Sequence, residues 1–597
     1  MASAAAVLAA CGGGDGSPSA PRDASGLLSF PVDTTAKARP GGTYKGYLPS
    51  DVPSMDPLSS NSVFTQAYVA FGTYPRLLKF AYAKHPDSPT GELEGDAAES
   101  FEMSGDKLQL TMRVRQGMKW DSRTPTNGRL LDADDVVFSW NKFARISPFA
   151  TELVYKADTN PNAPVESISS PDPRTVIFKL KAPDASTLPL FAYQRGFWVM
   201  PRESDGGFDP KGEVRGYGPW LLADHKPSAS FTWSKNPDYY VRGRPFYDRI
   251  EQPIVPEYAT QLAQFKAGNI YPGVTRQEDV VQTKRDVPAL EMRQGTNFTT
   301  AMGFLWFGYE GNSPFKDVRV RQAVALLYDR ETLIDVVGNR ERFRTDGLEV
   351  PARYNTVVAG GWEGFWLDPQ DEKKFGDGAK YFKSDPAEAK KLLSAAGFAN
   401  GLDTELIYNG ATNYGTTYHK IAEVLAGMFS DGGVRAKLGP KEYQNDWLPN
   451  YYYAYSQAAN PGKAPPGFNG IGHVPGTVYP TVASAIFANM HKDGLRFHGL
   501  TPDGRNAHLG DPEVNRMIER IRQEFDLKKQ QDLVHDFQRF MAPKVYNIPD
   551  NATLGFGLNW PILQNVAVYR NWTGGVATTE GNLHIWLDDT KPPARSA

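Results

Sequence analysis

The sequence predicts an α/β protein, from stretches of strict apolar alternation, from amphipathic helices with recognisable caps, and from the way the two alternate along the chain. GGTYKGYLPSDVPSMDPLSSNSVF, residues 41 to 64, reads as a strand followed by a polar loop. LQLTMRVR puts Leu108, Leu110, Met112 and Val114 on one face, a half-buried strand. In LLDADDVVFSWNKFA, Asp132 can cap a helix, acids crowd its positive end, and Val136, Val137, Trp140 and Phe143 form one stripe. TVIFKLK from Thr175 alternates again, so these pieces predict a small α/β subdomain.

Further along, GPWLLADHKPSASFTWSKNPDYY from Gly218 reads as two strands and a turn, and ATQLAQFKAGNIY as a short helix closed near Gly268. Two helices carry an Asp-Pro start. Asp385 and Pro386 open one that Gly397 ends, and Asp511 and Pro512 open another with a stripe at Val514, Met517, Ile518, Ile521 and Phe525. There is no tandem repeat.

The length of 597 residues exceeds what one core usually serves, so two or three domains are expected. Lys and Arg number 65 against 68 acids, a net charge of −3 that recruits neither nucleic acid nor an anionic membrane surface. The single cysteine excludes an internal disulfide and a Cys-x-x-Cys metal or redox site. That cysteine, Cys11, follows Leu8, Ala9 and Ala10, the pattern at which bacterial lipoprotein precursors are cut and lipidated. Residues 1–11 therefore read as a signal and lipidation region, and the Gly-, Ser- and Pro-rich run behind it as a flexible tether over 12–40. Only ten residues, none basic, precede Cys11, which points to a truncated or misassigned start.

Five blocks in order, YPRLLKF (74 to 80), LDADDVVFSW (131 to 140), GPWLLADHKP with NPDYY (218 to 240), FKDVRVRQAVALLYDRETLID (315 to 335) and SDPAEAKKLLSAAGF (384 to 398), resemble the extracytoplasmic solute-binding proteins of family 5. These are the dipeptide, oligopeptide and nickel binding components of ABC importers. The similarity spans about residues 41 to 590. It implies the large two-lobed periplasmic-binding-protein-like fold (type II, cluster C) with an extra α/β subdomain in lobe I. Mapped here, lobe I takes 41–295 with the subdomain near 73–195, lobe II takes 296–545, residues 546–590 return to lobe I, and 591–597 form a tail. Also implied are a permease with its ATPase subunits as partners, a monomeric state, no cofactor, and an extracytoplasmic location on a lipid anchor at Cys11. The blocks themselves are scaffold: Asp132 and Asp317 are expected to be helix caps.

Candidate ligand contacts fall in three stretches expected on the cleft. The first is Asn61, Ser62 and Phe64, where relatives contact ligand. The second, TTAMGFLWFGYEG, looks like the strand entering lobe II and carries Phe304, Trp306 and Tyr309. The third, QNDWLPNYYYAYSQAANPGKAPPGFNG, offers Trp447, Tyr451, Tyr453 and Tyr455, with Tyr414 ahead of it. Aromatic faces suit a sugar ring, an aromatic ligand or a peptide backbone. Peptide binders of the family place an aspartate after an aromatic in the third stretch, to pair with a free amino group; here Ser456, Gln457 and Ala458 follow Tyr455. An oligosaccharide or other aromatic-stacking solute is therefore favoured, with peptide second.

No phosphate-binding loop, Gly-x-Ser-x-Gly or His-Glu-x-x-His occurs, and His491, His498 and His508 fit no common ligand spacing, so neither catalytic nor metal residues are assigned. A nickel chelate remains open through the family. The alternatives are a secreted glycan hydrolase using the same cleft and a receptor feeding a sensor.

Overall fold

The computed structural model describes residues 24–593 apart from 61, 63, 83, 88–89, 159, 412–413, 415, 458, 461, 465–466, 500, 503–504 and 567–578. Cys11 and Asn61 lie outside the described residues. From Leu28 the chain is fastened rather than tethered: Ser29 N donates to Met292 O at 2.7 Å, and Thr34 bonds Asn565 and accepts from Trp586 Nε1 at 2.9 Å. Leu27 and Leu28 pack against the core, which is why the expected tether stops short of residue 40.

Two separate hydrophobic cores organise the chain. The first gathers side chains from Leu48 to Met292 and again from Phe556 to Ile585; the second runs from Met302 to Ile548. They are called lobe I and lobe II below. Lobe I contains a four-stranded sheet in the order Thr43–Lys45, Arg249–Pro253, Ser230–Lys235, Trp220–Lys226. Its second four-stranded sheet runs Ala98–Met103, Gln109–Val114, Thr175–Leu180, Val165–Asp172, all antiparallel. The helix Ala133–Ile146 covers it. Asp132 accepts from Asp135 N at 3.1 Å and Asp135 answers from Asp132 N, a capping box, while Val136, Trp140 and Phe143 are buried. Leu108 misses the expected face, being 37% exposed just before the strand begins.

Lobe II is built on a five-stranded sheet in the order Val434–Lys441, Leu402–Asn409, Ile471–Thr477, Met302–Phe307, Asn547–Pro549. The first three strands are parallel to one another and Met302–Phe307 is antiparallel to its neighbours. The Asp-Pro helices form as Pro386–Ala395 and Pro512–Gln523, each capped by its aspartate. Phe525 lies past the end of the second and is 39% exposed, so it drops out of the stripe. The block 315 to 335 breaks into Val318–Leu327, capped by Asp317, and Arg330–Gly338, capped by Asp329.

The chain passes between the lobes at two adjacent places. Glu291–Gln294 pairs with Phe556–Asn559 on the lobe I side and Met302–Phe307 with Asn547–Pro549 on the other, with Gly295 N donating to Gly555 O at 3.0 Å between them. A third segment leans across. Phe343, on the helix Arg340–Thr345, belongs to the lobe I core and packs on Phe556 with ring centres 4.6 Å apart. From there Ala352–Tyr354 pairs with Asn551–Thr553.

Candidate functional site: the cleft between the lobes

The three parallel strands of lobe II end along one edge of its sheet, and in α/β sheets the carboxyl ends of strands are where ligands sit. Each of these strands runs on into aromatic residues: Tyr414 and Tyr418 after Asn409, Tyr443 to Tyr453 after Lys441, and Tyr479 after Thr477. The middle group forms a wide π-helical turn, Tyr443–Tyr452, started by the Glu442 carboxylate, which accepts from Gln444 N at 2.9 Å and Asn445 N at 2.7 Å. Pro449 inside it has no N–H to donate, which fits a turn not held by regular helical bonds.

Lobe I closes on this edge. Tyr193 Oη donates to Val478 O at 2.8 Å, and Ser186 Oγ lies 3.3 Å from Thr481 Oγ1. Ala185 N donates to Arg522 O at 2.8 Å, Arg522 Nη2 donates to Asn162 O at 2.9 Å, and the same guanidinium pairs with the buried carboxylate of Asp184. Asn162 Nδ2 reaches Asp493 Oδ2 at 2.5 Å. Between Thr151, Glu152, Ser186, Ser484, Phe487 and Arg522 only about 20 Å³ is left, room for a water. The lobes are shut.

Charge is concentrated at this contact. On the lobe I side Arg195 lies over the Phe149 ring at 5.2 Å. Arg496 lies under the Tyr452 ring at 4.6 Å and near Phe304 at 5.7 Å. Burial raises the hydroxyl pKa of Tyr193 and Tyr479, so both stay protonated. Burial also pushes the Glu152 carboxyl up to about 7, against the opposing pull of Arg195 and Arg522.

The sequence-derived candidates divide. Tyr414 and Tyr453 lie in the aromatic group at the cleft edge, with Tyr414 packed edge-on to Tyr418 and Tyr443 and Tyr453 edge-on to Tyr452. Phe304, Trp306, Tyr309, Trp447 and Tyr455 are buried in the lobe II interior: Phe304 and Trp306 lie on the inner strand Met302–Phe307, all six of whose residues are buried, Trp447 in the π-helical turn, and Tyr309 and Tyr455 on buried connecting segments. Trp306 lies against Gly472, His498 and Phe468. Tyr455 Oη donates to Glu310 Oε1 at 3.0 Å, and Ser456 Oγ to Gly494 O at 2.8 Å, so this stretch is fastened inside the lobe. Tyr451 stacks on Trp447 and lies under Lys441. Ser62 accepts from Phe64 N at 3.2 Å, and Phe64 stacks on Tyr68, both within lobe I. Two residues on, Gln66 Oε1 accepts from Trp198 Nε1 at 2.7 Å, which ties that loop to the segment carrying Arg195.

Arg195, Arg496, Tyr193, Tyr479 and Glu152 were not among the sequence candidates. A signal was present for the arginines: each interrupts an apolar run, LFAYQRGFWVM and GLRFHGL, where a charged residue is out of place unless it has a partner. Among the described residues no group of three or more His, Cys, Asp or Glu could hold a metal. Burial lowers the His498 pKa to about 3, so it is neutral, and its Nε2 lies 3.1 Å from Tyr451 O.

Comparison with known proteins agrees with this architecture. The structure superposes on the periplasmic binding protein DppA from Helicobacter pylori, in complex with the peptide STSA, with a TM-score of 0.69 at 16% identity, covering 93% of this chain and 100% of that one. It superposes on MoaA from A. tumefacien R10, in complex with mannopinic acid, with a TM-score of 0.67 at 22% identity, covering 92% and 100%. By sequence the chain is 24% identical to di/tripeptide-binding protein 2 of Pseudomonas aeruginosa, covering 70% of this chain and 75% of that one. It is 26% identical to heme-binding protein A of Haemophilus influenzae, with 56% and 58% covered. The model of the bacterial extracellular solute-binding proteins, family 5, matches residues 92–482, about two thirds of the chain. With two cores, adjacent crossings and a shut cleft at the strand ends, the chain belongs to the bacterial extracellular solute-binding proteins of family 5.

Proposed function

We propose that this chain is the extracytoplasmic capture component of an ABC importer, lipid-anchored through Cys11, which closes its lobes on a solute and presents the closed form to a permease and its ATPase. The observation that carries the reading is the joint between the lobes. Two adjacent crossings leave the halves free to hinge, while the contacts at the mouth, Tyr193 to Val478 and Asp184 to Arg522, form only when they meet. A solute favours the closed form only to the extent that it binds that form better.

The role is binding without turnover. Tyr414, Tyr452, Tyr453 and Tyr479 at the strand ends favour a solute with a ring to stack, sugar-derived or aromatic. Peptide is the second reading, supported by the relatives named for it. Against it stands the stretch after Tyr455, where Ser456, Gln457 and Ala458 offer no carboxylate to hold an ammonium.

A thermal-shift screen of the purified chain against oligosaccharides, peptides and metal chelates, followed by X-ray scattering, tests the reading. Ligand-dependent stabilisation with a smaller radius of gyration and no product is expected. Steady product release would replace it with the hydrolase reading.

A further inference from the structure

We propose that closure carries a proton switch: neutral His491 holds the turn through which Asp493 grips lobe I, and protonating His491 draws that carboxylate back and loosens the seam. The inference rests on the solute-capture reading above and adds a condition under which the cleft lets go.

The lobe II side of the seam is a tight turn. The helix Val482–Met490 ends at His491, which is fully buried, and Gly494 N donates back to His491 O at 2.9 Å. The ring closes the turn from inside: Asp493 N donates to His491 Nδ1 at 3.2 Å. An imidazole nitrogen that accepts carries no proton, so the proton is on Nε2, which faces Glu519 Oε1 at 3.4 Å. Phe487 stacks on the ring with centres 4.7 Å apart. Lys492 N donates to Asn515 Oδ1 at 3.2 Å, so the turn is pinned to the helix Pro512–Gln523.

What the turn presents to lobe I is Asp493. Its Oδ2 accepts from Asn162 Nδ2 across the seam at 2.5 Å and from Lys492 Nζ at 2.8 Å. Asn162 O accepts from Arg522 Nη2 at 2.9 Å, so one lobe I residue is gripped twice. The same Oδ2 of Asp493 lies 3.8 Å from His491 Nδ1. A proton added at Nδ1 therefore does two things. It sets two N–H groups against each other where Asp493 N now donates, and it gives the carboxylate a cationic donor that competes with Asn162.

The charged groups around the ring are Glu519 and Arg522 on Pro512–Gln523 and Lys492 and Asp493 in the turn, with Glu152 and Asp184 of lobe I across the seam. Burial holds the His491 pKa below its ordinary 6.5, against the Glu519 and Asp493 carboxylates and with Arg522 acting in the same direction as burial. The grip is then complete above about 6.5 and weakens as pH falls through the lowered value. Glu152 cannot produce this response, because acidification protonates it and favours its burial, the opposite sign.

X-ray scattering on the full chain without ligand, titrated from pH 8 to 4.5, reads the switch, with circular dichroism checking the fold at each point. The radius of gyration is expected to rise on acidification toward the value that Asp184→Asn gives at pH 8 by breaking the neighbouring cross-lobe pair. His491→Asn, whose side-chain oxygen can still accept from Asp493 N but does not titrate, is expected to hold the neutral-pH value throughout. Asn162→Ala leaves lobe II intact and decides the question if His491→Asn does not fold: it is expected to show the expanded value with no pH response. A response that persists in either variant, or a wild-type radius that stays constant while the chain remains folded, overturns the proposal. A radius that contracts with a solute from the screen above yet ignores pH removes the switch alone and leaves solute capture standing; one that responds to neither removes both.

Discussion

Two sets of partly or fully buried arginines in this molecule have opposite surroundings. In the lobe I subdomain, Arg129 forks onto both oxygens of Asp135, at 2.7 and 2.6 Å, and onto both of Glu203, at 2.6 Å each. Asp135 also accepts from Trp120 Nε1 at 2.9 Å and from Arg202 N at 3.2 Å. In the cleft, Arg195 and Arg496 keep buried nitrogens with no acceptor. The first arrangement is complete and does one thing, holding the start of Ala133–Ile146 against the segment around Arg202. The second is incomplete, leaving buried donors without a protein acceptor.

The largest effect should come from breaking the complete arrangement. Asp135→Asn removes a carboxylate that is fully buried and leaves Arg129 half-paired, so urea unfolding should show a loss of about 3–5 kcal/mol. Asp184→Asn breaks the pair that joins the lobes. It should shift the closure equilibrium toward open by about 2–5 kcal/mol, read as a larger radius of gyration with little change in unfolding midpoint. If Asp184→Asn unfolds the protein instead, the pair belongs with Asp135 and the contrast fails. Asp511→Ala, removing the cap of Pro512–Gln523 and the acceptor of Tyr546 Oη at 2.8 Å, should cost about 1–2 kcal/mol in the same urea assay.

The smallest effect is a pH dependence. Glu152 has its folded pKa raised from 4.5 to about 7, so between those values the folded protein binds more protons than the unfolded one. This contribution to folding stability is then full below about 4.5, falls as pH rises through the window, and levels off above about 7. Glu152→Gln should flatten that slope, measured as Tm against pH from 4 to 8.

The scaffold was readable because its signals are local. Asp132, Asp317, Asp385 and Asp511 cap the helices that their positions announce, and Gly268 and Gly397 sit at positive φ of 74° and 96° just past helix ends, where a side chain is disfavoured. The cleft was less readable because aromatic residues serve core and pocket alike. Trp306 and Trp447 share their chemistry with Tyr453, and only the sheet order shows that the strand Met302–Phe307 is covered on both sides. Arg195 and Arg496 lie 301 positions apart, and no local pattern relates them.

The two adjacent crossings also govern how the molecule can be made. Lobe II is an insert from Met302 to Ile548, broken only where Phe343, Leu348 and Val350 lean onto the first core, and most of it can assemble as it leaves the ribosome. Lobe I cannot, because Phe556–Asn559 must come back to pair with Glu291–Gln294, and Trp560, Leu563 and Trp586 must reach a core whose other members were translated hundreds of residues earlier. The half synthesised first is therefore the last to be finished, and a nascent chain stalled before Phe556 would carry a mature second half on an open-sided first one.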